Sequence, residues 1–320
     1  MNRKWPLALC VGLAASLGVT AYTGAQQTQN YEISQVADGL YTATTGSHRT
    51  VFLVTDEGII LADPIRTDFA TWLKSELDER FGVPVRYVLY SHHHWDHASG
   101  GAVFADTATL VAHEGMAAAL AASLPNNLNF RDADGNGFLH RSEATRSYAA
   151  RFDVTDINGD DNLSGDEINV DILPPEVLYS DRMTVTLGGQ RVVLMHPNPA
   201  HSDDMTVLHF PEQRVAFGVD YLNVRLVSGD LYHYSYDQYA SAIEMVLSLD
   251  IDTFVPGHGD PGRREDLAEY LGFLRNLQAE VSAAIESGQS LQQTQQSVQL
   301  SDYSDWLYFD DRKDNLIASA

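Results

Sequence analysis

The chain has 320 residues, and its 44% hydrophobic content is ordinary for a globular enzyme with one large domain. It carries 44 acidic and 20 basic residues, which gives a formal net charge of −24. Because binding to a phosphate backbone depends on clustered Lys and Arg, this balance argues against a nucleic-acid partner and leaves a small-molecule substrate.

The N-terminal residues 1–25 have the features of a secretory signal peptide. Arg3 and Lys4 give a positive start, and the apolar run over 7–19 is too short to span a bilayer. The only cysteine, Cys10, lies inside this segment, so the mature chain has no disulfide and no thiolate metal ligand. We expect a periplasmic or secreted protein without stable membrane insertion after cleavage, and an uncleaved anchor is the alternative.

Hydrophobic periodicity predicts strands and helices that alternate in both halves of the chain. The first half contains a hairpin over 50–63, a helix over 67–81, strands over 85–90 and 109–112, and a helix over 114–124. The second half contains strands near 183–187, 191–196, 205–210 and 214–219, a helix over 237–249, a strand ending at Val255 and a helix over 264–287. This alternation predicts helices packed outside two stacked sheets.

Residues 92–97 read His-His-His-Trp-Asp-His and follow the apolar strand over 85–90. His92 and His94 are two apart, so in extended backbone their imidazoles point to the same side. Asp96 and His97 follow as the chain turns, where they can address a second metal ion. Such a cluster at the end of a buried strand indicates a metal site, and a solvated histidine-rich loop is the alternative.

The His-x-His-x-Asp-His motif resembles the signature of the metallo-β-lactamase superfamily, and other parts of the chain agree with it. His201 lies in a Pro-Ala-His-Ser segment after a strand, and His258 lies in a Pro-Gly-His-Gly turn. Asp220 ends a strand as Gly-Val-Asp, where the family often has Gly-Asp, and Asp63 fits the family's early aspartate. The resemblance covers most of the mature chain and implies a four-layer αβ/βα sandwich, of mixed α/β and α+β class.

The resemblance also implies a dinuclear metal site. One metal would be held by His92, His94 and His201, the other by Asp96, His97 and His258, and Asp220 would bridge them. Asp96 is also the predicted catalytic residue. Imidazoles with a few carboxylates suit Zn²⁺, and we expect two zinc ions per chain. Such ions lower the pKa of bound water to about 7 and stabilise a developing oxyanion.

The remaining histidines are expected to lie outside the metal site. His196 ends a predicted strand five residues before His201 and is its main rival as third ligand, but the Pro-x-His-Ser context favours His201. His93 lies between two ligands and should point away from them. The other histidines are expected to be surface or satisfied core residues, namely His48, His113, His140, His209 and His233.

The stretch between His97 and His201 is longer than the core fold should need. This excess predicts an insertion over 126–176, which divides the main domain into two parts, 26–125 and 177–320. The insertion contains two tandem matches to the EF-hand calcium loop. The first loop would use Asp132, Asp134, Asn136, Phe138 and Glu143, and the second Asp156, Asn158, Asp160, Asn162 and Glu167. Asp161 stands where glycine is preferred, which predicts a weaker second loop.

A chance pair of Asp/Asn-rich turns is the alternative to these calcium loops. We expect one or two Ca²⁺ ions per chain. A structural role is favoured over a regulatory one, because extracellular calcium saturates sites with dissociation constants of about 10⁻⁴–10⁻³ M.

These features predict an exported zinc-dependent hydrolase that cleaves an ester, lactone, lactam or phosphoester bond. Lactamases with a cysteine ligand are excluded, because the mature chain has no cysteine. The alternatives are a mononuclear iron sulfur-oxygenase of the same superfamily and a calcium-binding protein with a vestigial metal site. The sequence identifies neither the substrate, whose recognition depends on loop shape, nor the oligomeric state.

Overall fold

The computed structural model describes residues 30–122, 124, 131–231 and 234–319. The predicted signal peptide, residues 126–130 of the predicted insertion and His233 lie outside this part of the chain. Within the described residues, no helix has both the length and the apolar character that crossing a membrane requires.

The strands range from two to eight residues and the helices from four to 23 residues. The strands are β1 (Tyr31–Ala37), β2 (Leu40–Thr45), β3 (His48–Thr55), β4 (Gly58–Leu61), β5 (Val85–Leu89), β6 (Thr109–His113), β7 (Leu139–His140), β8 (Asn162–Leu163), β9 (Val177–Tyr179), β10 (Arg182–Leu187), β11 (Gln190–Met195), β12 (Val207–Phe210), β13 (Val215–Gly218), β14 (Thr253–Pro256) and β15 (Gly262–Arg263). The helices are α1 (Thr67–Phe81), α2 (Trp95–Ala98), α3 (Gly115–Leu120), α4 (Arg146–Thr155), α5 (Gly165–Ile168), α6 (Tyr236–Leu247), α7 (Arg264–Glu286), α8 (Leu291–Ser297) and α9 (Phe309–Ala318).

The first sheet has the strand order β1-β2-β3-β4-β5-β6-β9. Its strands are antiparallel from β1 to β4 and parallel from β4 to β9. The parallel half places the carboxyl ends of β5 and β6 at one edge, which is where ligand-bearing loops belong on such a scaffold. β9 starts the predicted second part of the domain but pairs with β6, so it completes the first sheet.

The second sheet has the order β10-β11-β12-β13-β14-β15 and is antiparallel except for the β13–β14 pair. Its apolar side chains, such as Leu208, meet those of the first sheet, such as Leu53, in a fully buried layer. Phe69 and Leu73 of α1 cover the other face of the first sheet, and Leu274 of α7 belongs to the layer outside the second. The result is the four-layer arrangement that the sequence predicts.

Helix α1 has the bounds that its apolar spacing predicts. It buries Phe69, Leu73 and Leu77 against the first sheet. It ends at Gly82, whose φ of 65° lies in the left-handed region and whose N–H donates to the Asp78 carbonyl. Glycine adopts this conformation without steric cost, so the residue type determines where the helix stops.

The residues between β6 and β9 include a small unit with its own core. β7 pairs antiparallel with β8, and Leu139 lies opposite Leu163. Both leucines pack with Phe152 of α4, and all three are at most 1% exposed. This unit is attached to the main domain at Trp95, because the Arg151 guanidinium of α4 lies 3.6 Å from the centre of the Trp95 ring.

Candidate metal centre

The histidine-rich motif lies where β5 leaves the first sheet. The chain bends at Ser91 and His93, and His94 directly precedes α2 with φ −61° and ψ 138°. Asp96 and His97 therefore lie in the first turn of α2, and His92, His94 and His97 are all buried. The change from strand to helix explains how four side chains so close in sequence can face two neighbouring positions.

A first group of donor atoms joins the motif to two later loops. His201 Nε2 lies 3.0 Å from His94 Nδ1 and 3.0 Å from Asp220 Oδ2. His92 Nε2 lies 3.4 Å from the same Asp220 oxygen. His92, His94, His201 and Asp220 thus form one group whose ligand atoms all lie within 4.8 Å of one another.

A second group forms around the other oxygen of Asp220. Asp220 Oδ1 lies 3.0 Å from His258 Nε2 and 3.5 Å from His97 Nε2, and these two nitrogens are 3.2 Å apart. Asp96 Oδ2 lies 3.9 Å from both histidine nitrogens. The structure therefore brings together all the predicted ligands, with Asp220 in contact with both groups.

These distances fit metal ligation. With zinc–nitrogen bonds of about 2.0–2.1 Å, tetrahedral ligand atoms lie roughly 3.3–3.4 Å from one another. The closest contacts here are 3.0–3.5 Å. In addition, His92 Nε2 and Asp220 Oδ1 are buried without a hydrogen-bond partner among the described residues. Buried polar atoms are normally satisfied, so an ion between these atoms would supply the missing interaction.

The electrostatics keep both aspartates ionised. Burial alone would raise the pKa of Asp220, but His97, His201 and His258 hold it well below its ordinary range. Burial would also raise the pKa of Asp96, and the charge of His97 together with the His48 hydrogen bond lowers it instead. Two ionised carboxylates beside several imidazoles form a donor set that attracts divalent cations.

Asp63 lies behind the ligands and is fully buried. Its Oδ1 accepts the Ser91 N–H at 2.7 Å, and its Oδ2 accepts the Ser91 hydroxyl at 2.6 Å. The Ser91 hydroxyl in turn lies 3.0 Å from His92 Nδ1, and Asp63 Oδ2 lies 3.4 Å from His97 Nδ1. One carboxylate thus helps to orient a histidine in each group, as partners behind metal ligands commonly do.

His48 is a site residue that the sequence analysis missed, because it was expected to be a surface or core residue. It is half-buried, with its Nε2 3.2 Å from Asp96 Oδ2 and its ring centre 4.5 Å from that of His258. The tip of the β2–β3 hairpin docks on the turn after β14, where the Gly259 N–H donates to the Ser47 carbonyl at 3.1 Å. No local pattern marks His48, since a long-range contact brings it here.

His196, the rival for the third ligand position, lies elsewhere. Its ring stacks on His113 with centres 4.1 Å apart, and its Nδ1 lies 2.8 Å from the Met205 carbonyl oxygen. His93 faces away from the ligand groups and contacts Asp204 at 2.9 Å. His201 is therefore the histidine of its segment that joins the first group.

Members of both groups line a pocket of about 440 Å³, within the usual size of small-molecule sites. Its walls include residues from distant parts of the chain. The metal centre contributes His94, Trp95, Asp96, His201, Asp220 and His258, the residues between β6 and β9 contribute Arg131 and Tyr148, and the C-terminal region contributes Leu307, Tyr308 and Arg312.

The predicted calcium loops have oxygen atoms directed into their own turns. Carboxylate oxygens of Asp132, Asp134 and Glu143 lie within 4.8 Å of one another, and among the described residues the second loop forms no such group. Asp161 has φ 62° and Gly137 has φ 84°, so aspartate keeps the left-handed turn at the place where glycine is preferred.

The other predicted oxygen donors mainly accept amide N–H groups of their own loops. Asn136 Oδ1 accepts the Phe138 N–H at 2.8 Å in the first loop, and Asp160 Oδ1 accepts the Asn162 N–H at 2.8 Å in the second. In the second loop, Asp156, Asn158 and Glu167 accept further amide N–H groups.

Comparison with known proteins gives two curated relatives. The chain is 26% identical over 226 residues, 68% of its length, to "2,4-dinitroanisole O-demethylase subunit alpha" of Nocardioides sp. (strain JS1661). It is 24% identical over 229 residues, 69% of its length, to "Linear primary-alkylsulfatase" of Pseudomonas sp. (strain ATCC 19151). The matches cover 55% and 43% of these proteins, so the chain spans about half the length of the curated relatives it matches.

Solved structures show the same fold. "Metallo-beta-lactamase from Pontibacter korlensis" has a TM-score of 0.55 at 19% identity, covering 77% of this chain and 100% of that one. The metallo-β-lactamase from Hirschia baltica has a TM-score of 0.53 at 12% identity, covering 76% and 97%. The sequence profile described as the Metallo-beta-lactamase superfamily matches residues 44–258. The match covers well over half of the chain and includes every predicted metal ligand, and the chain therefore belongs to the metallo-β-lactamase superfamily.

Proposed function

We propose that this chain is an exported zinc-dependent hydrolase that cleaves an ester-type bond of a small molecule. The observation that carries the proposal is the pair of donor groups that share Asp220 and contribute residues to the lining of one pocket. One curated relative is named for alkyl sulfates, which favours ester-type bonds, sulfate esters included, over lactams. The other is named for O-demethylation of an anisole, which is the cleavage of an ether C–O bond. The N-terminal signal sequence supports export.

Zinc in this centre would lower the pKa of a bound water to about 7 and polarise the scissile group. The chain's own residues would place that water and the substrate. Asp96 is ionised, and its Oδ2 lies within 3.9 Å of the nitrogens of His97 and His258, where it can orient the attacking water. Trp95 and Tyr148 line the pocket and can hold the apolar body of a substrate.

The two loops between β6 and β9 are proposed to hold structural calcium. Three features support this role, namely the carboxylate group of the first loop, the β7–β8 pairing and the separate core around Phe152. Ca²⁺ prefers oxygen donors and zinc prefers imidazole, so the two ions would divide between the loops and the pocket by donor type. An exported protein would keep such sites occupied.

A substrate panel with controlled metal loading tests the hydrolase. We expect the mature protein to hydrolyse at least one of a set of nitrophenyl acetate, sulfate and phosphate esters, a lactone and a lactam. Activity should disappear with a zinc chelator and return with zinc but not with calcium. Lack of turnover of every compound by the zinc-loaded protein, or recovery with calcium alone, would contradict the proposal.

A further inference from the structure

A buried polar cluster lies beside the metal centre and provides none of its predicted ligands. His93 Nδ1 lies 2.9 Å from Asp204 Oδ1 and 3.3 Å from the Ser202 hydroxyl. The same hydroxyl donates to Asp204 Oδ1 in a short hydrogen bond. His93, Ser202 and Asp204 are each at most 1% exposed, so solvent plays no part in these contacts.

This cluster connects two loops that carry ligands of the first group. His93 lies between His92 and His94, in the segment between β5 of the first sheet and α2. Ser202 and Asp204 follow His201 in the loop between β11 and β12 of the second sheet. A backbone hydrogen bond also joins the two loops, since the Thr206 N–H donates to the Ser91 carbonyl at 2.7 Å.

The backbone of His201 requires such support. Its φ is 74°, in the left-handed region that residues with a Cβ seldom occupy. Conformations of this kind persist only where the surroundings hold them, and they concentrate at functional sites. In this conformation His201 Nε2 reaches 3.0 Å from both His94 Nδ1 and Asp220 Oδ2.

Packing alone does not account for the cluster. His93 Nε2 and Asp204 Oδ2 are buried with no hydrogen-bond partner among the described residues. A buried carboxylate with incomplete partners is costly, and apolar residues of similar volume commonly give equal or greater stability. A role in setting the geometry of the adjacent ligands explains why polar residues occupy this place.

We propose that His93, Ser202 and Asp204 are positioning residues that hold His201 in its left-handed backbone conformation, and thereby complete the first metal site. The inference rests on the proposed metal centre. None of the three needs to touch the metal or the substrate, because each acts through the backbone and side chain of His201.

Asp204→Asn tests this role, because it keeps the volume of the side chain and removes the charge. The matched control is Asp203→Asn, the exposed neighbour whose carboxylate accepts the Tyr234 hydroxyl at 2.9 Å. Zinc affinity is measured by competition with a chromophoric chelator, ligand geometry by the absorption spectrum of the cobalt(II) form, and folding by the melting temperature of the metal-free protein.

For Asp204→Asn we expect one of the two metals to bind roughly 10–100-fold more weakly, with an altered cobalt spectrum. The metal-free protein should still melt cooperatively, and Asp203→Asn should bind both metals normally. If Asp204→Asn does not fold, Ser202→Ala removes the hydroxyl that contacts His93 and Asp204 but keeps the buried charge, and it should weaken the same metal to a smaller degree.

Affinity and cobalt spectrum equal to those of the control, in whichever variant folds, would overturn the positioning role. Metal binding by the unaltered chain distinguishes failure of the positioning role from failure of the proposed function. If the unaltered chain binds neither zinc nor cobalt, the proposed function fails, and the positioning role fails with it.

Discussion

Replacing Asp220 by alanine is expected to lower hydrolytic activity by more than about a hundredfold, because residues that only support metal ligands already contribute 10–100-fold. Its two oxygens face the two donor groups, at 3.0 Å from His201 Nε2 and 3.0 Å from His258 Nε2. Its loss would therefore remove a predicted ligand of both proposed metals. Steady-state kinetics combined with metal analysis of the purified variant would measure both effects.

His196→Ala is the control for this experiment, since His196 stacks on His113 outside the donor groups. We expect it to keep both metals and most of the activity. The ligand assignment would be wrong if His196→Ala emptied a metal site while His201→Ala left both sites filled.

Removal of calcium with a selective chelator is expected to lower the thermal stability of the protein and to leave zinc bound. Occupancy of a site that the unfolded chain lacks adds ~2.7 kcal/mol at a hundredfold excess over the dissociation constant. The loss should be concentrated in residues 126–176, where hydrogen exchange would detect it. Activity should fall only partly, because the two main sheets pack around a core of their own.

Glu143→Gln should reproduce the effect of calcium removal at the first loop. Its carboxylate belongs to the group with Asp132 and Asp134 and would lose the charge that closes the loop. We expect Glu167→Gln to have a smaller effect, because the described carboxylates of the second loop do not converge in this way. Complete and immediate loss of catalysis on calcium removal, with zinc retained, would instead make these loops a switch.

Much of the fold could be predicted from hydrophobic periodicity alone. Helix α1 has the predicted bounds because its apolar spacing and Gly82 act locally. The predicted ligands also come together, since each follows a strand whose end faces the same edge. Sequence patterns of this kind succeed where local residues determine the local structure.

Other features depend on contacts between distant residues and could not be predicted in this way. The sequence analysis did not predict β1 and β2, which pair with each other and join the first sheet through β3. It also did not predict α8, which is rich in glutamine and buries only Thr294. It placed His48 outside the site and gave His93 no partner, because docking of a hairpin tip and pairing with Asp204 are tertiary events. Helix α3 ends at Leu120, short of the predicted bound at 124.

Metal analysis of the purified mature protein tests the central claim most directly. The donor set of five imidazoles and two carboxylates, arranged in two groups around Asp220, predicts close to two transition-metal ions per chain, mainly zinc. The measurement is elemental analysis by mass spectrometry after dialysis against metal-free buffer. Two zinc ions per chain would agree with the proposed hydrolase, and a single iron without zinc would contradict it in favour of the oxygenase.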